Sequence, residues 1–419
     1  MERLSRLQEL AFKNDSKILF WVFDGIGGLP HPETGKTEME TAKIPHLDAF
    51  ARRSSCGGLV PHGEGVAPGS GPGHLSLFGY PLESFDLPRG VLEILGAEGA
   101  FHRGEWTDDV VIGASDLAMR GNFATLGPPE SSDEGLIVDR RAGKPPTEES
   151  RRACEKLSRE LELEGYEIFV VPGEQHRFAL LIRGEGLHGG LTDGDPQREG
   201  LPPVPVEGLR PEAEKAAEVV NLVIKESTRI LSDEAKMNTV LLRGIGTAPE
   251  IPSLDELYGI RAAAIATYPM YRGIARLVGM DVLPVEGLSH ENQVQVLAEN
   301  MADYDFFYLH IKETDGYAHL GDFDGKVGVF EECDPLFQRA LDLGFDVVAV
   351  TGDHCTPSVL MDHSWHPIPT ALWSKTVLSG GAEAFTEREA LRGTMGKVAS
   401  RDLLPLALAE AGRFKKFGA

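Results

Sequence analysis

The sequence has few cysteines, no excess of basic residues and no long apolar run. Its four cysteines, Cys56, Cys154, Cys333 and Cys355, form no Cys-x-x-Cys pair, which argues against a zinc ribbon or a disulfide framework and favours reduced thiols. The 41 Lys and Arg against 65 Asp and Glu give a net charge of −24, which argues against a nucleic-acid partner. The first apolar run, Ile18–Phe23, is far shorter than the roughly 20 residues of a spanning helix. We therefore expect a cytoplasmic protein with no membrane partner.

Short apolar runs that end in Gly, Asp or His alternate with helical patterns along much of the chain. The runs cover residues 17–25, 238–246, 261–267, 305–315 and 346–354. Helical patterns cover residues 41–53, 289–301 and 324–343. This alternation predicts βαβ units and an α/β core with a mostly parallel sheet, formed by residues 1–86 and 236–419. Ligands bind at the carboxyl ends of the strands of such sheets.

The middle of the chain, residues 87–235, has a different pattern. It contains turn-rich stretches, a strong helical pattern at 148–163 and two runs, EIFVVPG and FALLIRG, that suit a β-hairpin. This pattern predicts an α+β domain inserted into the α/β core, since strand-like runs resume at residue 238. A domain inserted over the carboxyl edge of the core sheet would cover the site.

Three groups of reactive residues follow the predicted strands, and the first contains Asp24. The sequence FDGIGG at residues 23–28 lacks the G-x-G-x-x-G spacing of a dinucleotide-binding turn. An aspartate at the tip of a strand is well placed to hold a cation. The alternative is that Asp24 only caps the following turn.

The second group surrounds Ser70 with small residues, in the sequence APGSGPGH at residues 67–74. This composition leaves the hydroxyl accessible, and a helical pattern at 74–79 begins just after it. A helix N-terminus stabilises anions, including a phosphoryl group on the serine. The segment is not a G-x-S-x-G nucleophile elbow, because Pro68 takes the place of the first glycine. The alternative is a Gly/Pro loop without chemistry.

The third group consists of Asp315 with His319, and Asp353-His354 with His363. Asp315 and His319 are four residues apart, which places them on one face of a helix. A single histidine is more often structural than a ligand, but two Asp–His pairs and a third histidine favour a metal site. Carboxylate and imidazole ligands suit Mn²⁺, Zn²⁺ or Co²⁺ better than Mg²⁺ or Ca²⁺ alone. The lack of a thiolate pair argues against a closed structural zinc site.

Together these groups predict phosphoryl transfer. Two metal ions that share the Ser70 hydroxyl would lower its pKa and neutralise phosphate charge, so a covalent phosphoserine is the expected intermediate. Arginines bind such anions bidentately, although each alone is more often part of a structural ion pair. The candidates are Arg120, Arg140, Arg141, Arg177, Arg243 and Arg272. Further candidates are Lys36 for the substrate, and Asp116 and Asp193 as the acid–base group.

The order of these motifs resembles that of a known family. DGIGG, GKTEMETAKIPHLD, APGSGPGHLSLFGY, NFAT, DRRAG, HRF, DGDP, LLRGIG, HIKETDGYAHLGDFDGK and TGDHCTPSVLMDHS follow one another as in the archaeal-type, cofactor-independent phosphoglycerate mutases of the alkaline phosphatase superfamily. The likeness runs from about residue 17 to about residue 410. It implies an alkaline-phosphatase-like parallel-sheet core sandwiched by helices, with an inserted transferase domain. It also implies interconversion of 3-phosphoglycerate and 2-phosphoglycerate with two divalent ions, Mn²⁺ first, with Zn²⁺, Co²⁺ or Mg²⁺ as alternatives.

The resemblance also implies roles for individual residues. Ser70 matches the phosphorylated nucleophile. The ligands of one ion would be Asp24, Ser70, Asp353 and His354, and those of the other Asp315, His319 and His363. The substrate would be bound by Arg120, Arg140, Arg141, Arg177 and Arg272.

Three departures from the family pattern leave this metal set intact and bear on the substrate. GSGPGH stands where many members have GSDTAH, Arg272 stands where a lysine is common, and His366 stands where an acidic residue follows the third metal histidine.

The expected reaction passes the phosphoryl group from 3-phosphoglycerate to Ser70 and back to the other hydroxyl of a trapped glycerate. The partner is then a small phosphorylated substrate, and an oligomeric assembly is compatible with the sequence. One alternative is a metal-dependent phosphatase or phosphotransferase that acts on another small phosphorylated metabolite. The other is a non-catalytic protein that binds a metabolite or a protein.

Overall fold

The chain divides into two compact units in the computed structural model, which describes residues 2–82, 85, 87–108, 110–287 and 289–418. One unit is Met1–Phe85 with Ile251–Ala419, and the other is Asp86–Glu250. The second unit ends at residue 250, whereas the predicted inserted domain ends at residue 235. The reason is a strand at residues 239–247, which pairs with a strand inside the second unit.

The described residues form α-helices and β-strands that are numbered here in chain order. The helices are α1 (Glu2–Leu10), α2 (Glu38–Thr41), α3 (Pro45–Arg52), α4 (Ser70–Leu77), α5 (Arg89–Gly96), α6 (Thr147–Glu160), α7 (Glu214–Ile230), α8 (Leu254–Tyr258), α9 (Pro269–Leu277), α10 (His290–Asn300), α11 (Glu313–His319), α12 (Phe323–Leu341), α13 (Glu387–Ala390) and α14 (Leu403–Glu410). Short 3-10 helices cover Pro211–Ala213 and Ser400–Asp402. The strands are β1 (Ile18–Phe23), β2 (Ser55–Val60), β3 (Ala100–His102), β4 (Glu105–Thr107), β5 (Leu117–Leu126), β6 (Ile137–Asp139), β7 (Tyr166–Pro172), β8 (Arg177–Gly184), β9 (Thr239–Thr247), β10 (Ala262–Ile265), β11 (Asp281–Val282), β12 (Phe306–Ile311), β13 (Val347–Thr351), β14 (Ile368–Ser374) and β15 (Gly396–Ala399).

The first unit is built on a sheet with the strand order β11-β10-β12-β1-β13-β14-β2-β15. Its strands are parallel except β14, which runs antiparallel to both β13 and β2. Every residue of β1 and β12 is buried, so both faces of the sheet are covered, as is usual for parallel sheets. The predicted α/β core is confirmed, and four of its predicted runs form the adjacent strands β10, β12, β1 and β13.

The second unit is an α+β structure around an antiparallel sheet of order β4-β3-β7-β8-β5-β6, with β9 also paired to β5. The predicted hairpin is confirmed as β7 and β8, and the predicted helix at 148–163 is α6. The placement of residues 238–246 in the parallel core was wrong, because β9 pairs antiparallel with β5, with Val240 opposite Phe123. An apolar run predicts a buried strand but does not identify its partner.

The predicted helix at 41–53 is two helices. Helix α2 ends before Ala42, which has an extended backbone conformation. Helix α3 then begins at Pro45, and the missing N–H of proline costs nothing there because the N–H groups of a first turn have no partner within the helix. Among the described residues, none of the helices combines the length and the apolar character that crossing a membrane requires.

Candidate active site

Acidic and imidazole side chains meet at the carboxyl ends of β1, β12 and β13. Because β12 and β13 pair in parallel on either side of β1, the residues that follow these strands share one edge of the sheet. Asp24 directly follows β1, and Asp315 lies in the first turn of α11 after β12. Asp353 and His354 follow β13.

Asp24, Asp353 and His354 form the first ligand group, and all three are fully buried. Their ligand atoms lie within 4.8 Å of one another. His354 Nε2 lies 3.3 Å from Asp24 Oδ1 and 3.1 Å from Asp353 Oδ2. Ser70 Oγ is 3.1 Å from the same nitrogen, so the serine hydroxyl faces this group.

Asp315, His354 and His363 form the second ligand group, which also lies within 4.8 Å. Asp315 Oδ1 is 3.8 Å from His363 Nε2 and 3.4 Å from His319 Nε2. The rings of His354 and His363 stack with 3.7 Å between their centroids. The structure thus brings together the seven residues that we predicted as ligands, and His354 belongs to both groups.

The ring nitrogens of His319 and His363 are oriented as in metal-binding histidines. His319 Nδ1 lies 3.0 Å from the carbonyl oxygen of Met361, and His363 Nδ1 lies 2.8 Å from that of Pro68. Because a carbonyl oxygen only accepts, each Nδ1 carries a proton, and the lone pair of the neutral ring is on Nε2, which faces Asp315. A hydrogen bond from the second ring nitrogen to a carbonyl is the usual support of a histidine ligand.

Thr356 orients His354 in the same way. Its hydroxyl donates to Asp315 Oδ1 at 2.9 Å, since an ionised carboxylate only accepts. The hydroxyl therefore accepts from His354 Nδ1, also at 2.9 Å. In the neutral ring that binds a metal, this leaves the lone pair on His354 Nε2, which faces Ser70.

In the described part of the chain, two buried carboxylates each have one oxygen that accepts no hydrogen bond, which fits a cation site. Among the described residues, Asp24 Oδ1 and Asp353 Oδ2 are buried oxygens without a hydrogen-bond partner. Burial and the nearby Asp353 raise the pKa of Asp24 to about 7, although Lys312 opposes this rise. A divalent ion would compensate both carboxylates, and the oxygen and nitrogen donors fit a transition-metal ion.

Three residues outside our predicted set also contact these carboxylates. Lys312 Nζ lies 2.9 Å from Asp24 Oδ2 and 2.6 Å from Asp315 Oδ2. Burial lowers the pKa of Lys312, but the nearby carboxylates of Asp24 and Asp315 outweigh burial and raise this pKa above its ordinary value. Tyr271 Oη donates to Asp24 Oδ2, and His74 Nδ1 lies 3.2 Å from Asp353 Oδ2. Lys312 directly follows β12 and lies near the end of the predicted run at residues 305–315, which was a signal that could have identified it.

Ser70 is the first residue of α4, so this helix begins four residues earlier than predicted. Within the motif around Ser70, position 73 requires a glycine for a steric reason. A Cβ atom there would lie 2.6 Å from the carbonyl oxygen of Asp353. Without a side chain there, α4 packs directly against the loop that carries two ligands. The Ser70 hydroxyl therefore lies at a helix N-terminus, which favours a phosphoryl group.

The second unit contains a basic pocket of about 190 Å³. It is lined by Arg120, Asn122, Arg140, Arg141, Lys144, Gln175, His176, Arg177 and Arg243. Asp195 binds Arg140 bidentately, at 3.1 and 2.6 Å. Burial and neighbouring arginines lower the pKa of Arg120 to about 10 and that of His176 to about 4, which shows how strongly positive the pocket is. Such a pocket suits a small anion.

The remaining candidates lie elsewhere. Arg272 is on α9 of the first unit, whereas the other five candidate arginines, including Arg243, line the basic pocket of the second unit. Asp116 forms an ion pair with Arg183 at 2.7 Å, and Asp193 accepts from the N–H of Gly244 at 2.8 Å. Lys36 is exposed in the loop before α2. His366 Nδ1 lies 3.1 Å from Ser364 Oγ and belongs to neither ligand group.

Comparison with known proteins connects this geometry to a family. A sequence profile of 2,3-bisphosphoglycerate-independent phosphoglycerate mutases matches residues 51–237. A probable 2,3-bisphosphoglycerate-independent phosphoglycerate mutase of Thermus thermophilus is 46% identical over 100% of both chains. Its counterpart from Aquifex aeolicus is 44% identical over 99% of both chains.

Two solved structures share the fold. A protein of Pyrococcus horikoshii has a TM-score of 0.81 and 26% identity, over 97% of this chain and 100% of its own. A cofactor-independent phosphoglycerate mutase of Thermoplasma acidophilum has a TM-score of 0.71 and 28% identity, over 95% of this chain and 100% of its own. The identity along the full chain with the Thermus relative shows that this protein belongs to the 2,3-bisphosphoglycerate-independent phosphoglycerate mutase family.

Proposed function

We propose that the protein interconverts 3-phosphoglycerate and 2-phosphoglycerate, in glycolysis and gluconeogenesis, through a phosphoserine at a two-metal centre. One observation carries the proposal: Ser70 Oγ lies 3.1 Å from His354 Nε2, and His354 belongs to both ligand groups. The names of relatives that match the whole chain support the substrate.

The residues divide between two ions. Asp24, Ser70, Asp353 and His354 would hold one ion, and Asp315, His319 and His363 would hold the other. Mn²⁺ is the ion that we propose, with Zn²⁺, Co²⁺ or Mg²⁺ as alternatives. When bound, the ions would lower the pKa of the serine hydroxyl and neutralise phosphate charge.

Ser70 is the nucleophile of the proposed reaction. The bond between phosphorus and the 3-oxygen of the substrate breaks as a bond from phosphorus to Ser70 Oγ forms. The serine gives up its proton, and the released glycerate oxygen takes one up. In the second half the 2-hydroxyl of the same glycerate loses its proton, accepts the phosphoryl group, and restores the serine. The N-terminus of α4 stabilises the negative charge on the phosphoserine in between.

Arginines orient the substrate in this proposal. Arg120, Arg140, Arg141 and Arg177 line the basic pocket, whose positive charge matches the carboxylate and the phosphate of phosphoglycerate. Arg272 is a further proposed contact. It immediately follows Tyr271, whose hydroxyl donates to Asp24.

The test is an enolase-coupled assay with 3-phosphoglycerate, run with added Mn²⁺ and without 2,3-bisphosphoglycerate. We expect formation of 2-phosphoglycerate without release of inorganic phosphate. Release of phosphate without 2-phosphoglycerate would instead identify a metal-dependent phosphatase or a phosphotransferase that acts on another metabolite.

A further inference from the structure

We infer that Lys326 is a positioning residue for the two-metal centre, because its ammonium joins the loop of Asp24 to the loop of His354. The inference rests on the metal centre proposed above. Lys326 lies on α12 in the DFDGK segment, and it is fully buried. A lysine is almost never fully buried without a specific set of partners.

The partners of Lys326 are backbone carbonyls on two loops. Its Nζ donates to the carbonyl oxygens of Gly25 at 2.9 Å, Gly27 at 3.2 Å and Thr356 at 2.8 Å. An ammonium has three N–H donors, so all three are used on these acceptors. One charged group therefore holds the loop after β1 against the loop after β13. Hydrogen bonds from a charged donor are also stronger than neutral ones.

The residues that Lys326 binds are the same ones that orient the ligands. The Gly25 N–H donates to Asp353 Oδ1 at 3.1 Å, and Gly25 directly follows Asp24. The Thr356 hydroxyl bonds both Asp315 and His354. The Thr356 N–H also donates to the Gly25 carbonyl at 3.2 Å, which closes the link between the loops. Lys326 thus supports ligands of both proposed ions, and it does so through backbone carbonyls rather than through the proposed ligand atoms.

Two carboxylates near the ammonium hold neighbouring parts of the same loops; Glu38 is buried and Glu387 is half-buried. Glu38 Oε1 accepts from the Ser358 N–H at 2.9 Å and from its hydroxyl at 2.7 Å. Glu387 Oε1 accepts from the Gly28 N–H at 2.7 Å. Burial lowers the pKa of Lys326, and the charges of Glu38 and Glu387 oppose this fall. Lys326, Glu38 and Glu387 therefore all bond to the loop after β1 or to the loop after β13.

A positioning role predicts a different result from a role in folding alone. A lysine that only stabilises the fold would lower the melting temperature of the metal-free protein and leave its metal affinity unchanged. A lysine that positions ligands would change the affinity itself, because misplaced ligands cost about 10- to 100-fold in metal binding.

The experiment compares Lys326→Met with a matched control, Lys17→Met. Lys17 is also a lysine of the first unit whose ammonium binds backbone carbonyls, those of Ala302 and Tyr304, but it precedes β1 at the opposite end of the strand. The measurements are calorimetric titration of the metal-free proteins with Mn²⁺ and their thermal unfolding. We expect about 10- to 100-fold weaker Mn²⁺ binding for Lys326→Met and a change within about twofold for Lys17→Met.

Lys326→Arg keeps the charge and serves if the methionine variant does not fold. Its guanidinium is larger and its five donors lie in one plane rather than around a single nitrogen, so it does not reproduce this arrangement and we expect weaker Mn²⁺ binding here as well. Wild-type affinity in a folded Lys326 variant would overturn the inference while leaving the metal centre in place. A wild-type protein that binds none of Mn²⁺, Zn²⁺, Co²⁺ and Mg²⁺ would refute the metal centre, and this inference with it.

Discussion

His363 Nδ1 donates a hydrogen bond to the carbonyl oxygen of Pro68 at 2.8 Å. Pro68 lies two residues before Ser70, so the segment that carries the proposed nucleophile also orients one of the proposed metal ligands. A shift of this segment would therefore disturb the hydroxyl and the second ligand group together.

Replacing Ser70 with alanine removes the proposed nucleophile. We expect turnover in the coupled assay to fall by about 10³-fold or more, while Mn²⁺ still binds through the aspartates and histidines. Ser76→Ala is the control on the same helix, where the lost hydroxyl donates only to the Pro61 carbonyl. It should lose about 1 kcal/mol of stability and keep its activity. Normal mutase activity in Ser70→Ala would refute the covalent route.

Removal of divalent ions is expected to abolish activity and to lower stability. Without a cation, Asp24 Oδ1 and Asp353 Oδ2 are buried and, among the described residues, have no hydrogen-bond partner. A chelated sample should be inactive and recover with Mn²⁺. An ion present at about 100 times its Kd would add about 2.7 kcal/mol to the free energy of unfolding. Thermal unfolding with and without Mn²⁺ measures this, and identical melting curves would contradict a metal centre.

Gly73→Ala tests the packing of α4 against the Asp353 loop. The new Cβ would lie 2.6 Å from the Asp353 carbonyl oxygen, so the helix must shift, at an expected cost of about 1–3 kcal/mol. Gly69→Ala is the matched control, because its nearest atom is Pro72 Cδ at 3.9 Å. Urea unfolding of the two variants should show a clear loss only for Gly73→Ala. Equal stabilities would show that the helix does not depend on this contact.

His290 is expected to make stability depend on pH. Its nitrogens lie 2.8 Å from Glu332 and 2.8 Å from Glu313. Burial lowers its pKa, but hydrogen bonds to Cys333 and Glu313 outweigh burial and raise the pKa of His290 from 6.5 to about 11.

A raised pKa stabilises the fold fully below the unfolded value, and this contribution declines as pH rises towards the folded value. The difference in melting temperature between wild type and His290→Gln should therefore be largest near pH 6 and should shrink steadily towards pH 11. A difference that is constant with pH would show that His290 is not held as a cation.

Arg177→Met tests the basic pocket of the second unit. Loss of one charged contact to the substrate should raise KM for 3-phosphoglycerate by about tenfold or more, since such hydrogen bonds contribute about 1.5–3 kcal/mol. Arg183→Met is the control on the same strand, β8, because Arg183 pairs with Asp116 and does not line the pocket. Steady-state kinetics of both variants measure the effect. An equal KM in both would place substrate binding elsewhere.

The local pattern of the chain was enough to predict four strands of the parallel core and the β7–β8 hairpin, because buried strands show as short apolar runs in the sequence. That the four strands are adjacent is known from the structure. The local pattern was not enough for β9, whose residues 240–242 are apolar and buried like those of the core strands. Its pairing with β5 depends on residues more than a hundred positions away. The apolar character of a run does not indicate which strand it pairs with.

The sequence by itself determined which chemistry the chain can perform, because aspartates, histidines and one serine stand where strands end, in an order that the family shares. Only the tertiary structure showed that Lys312 lies between two carboxylates, that Thr356 orients His354, and that Lys326 joins two loops. These roles arise when segments up to about 330 residues apart are packed together. The reason is physical: a side chain's hydrogen-bond partners are set by distance in space, which a pattern along the chain does not encode.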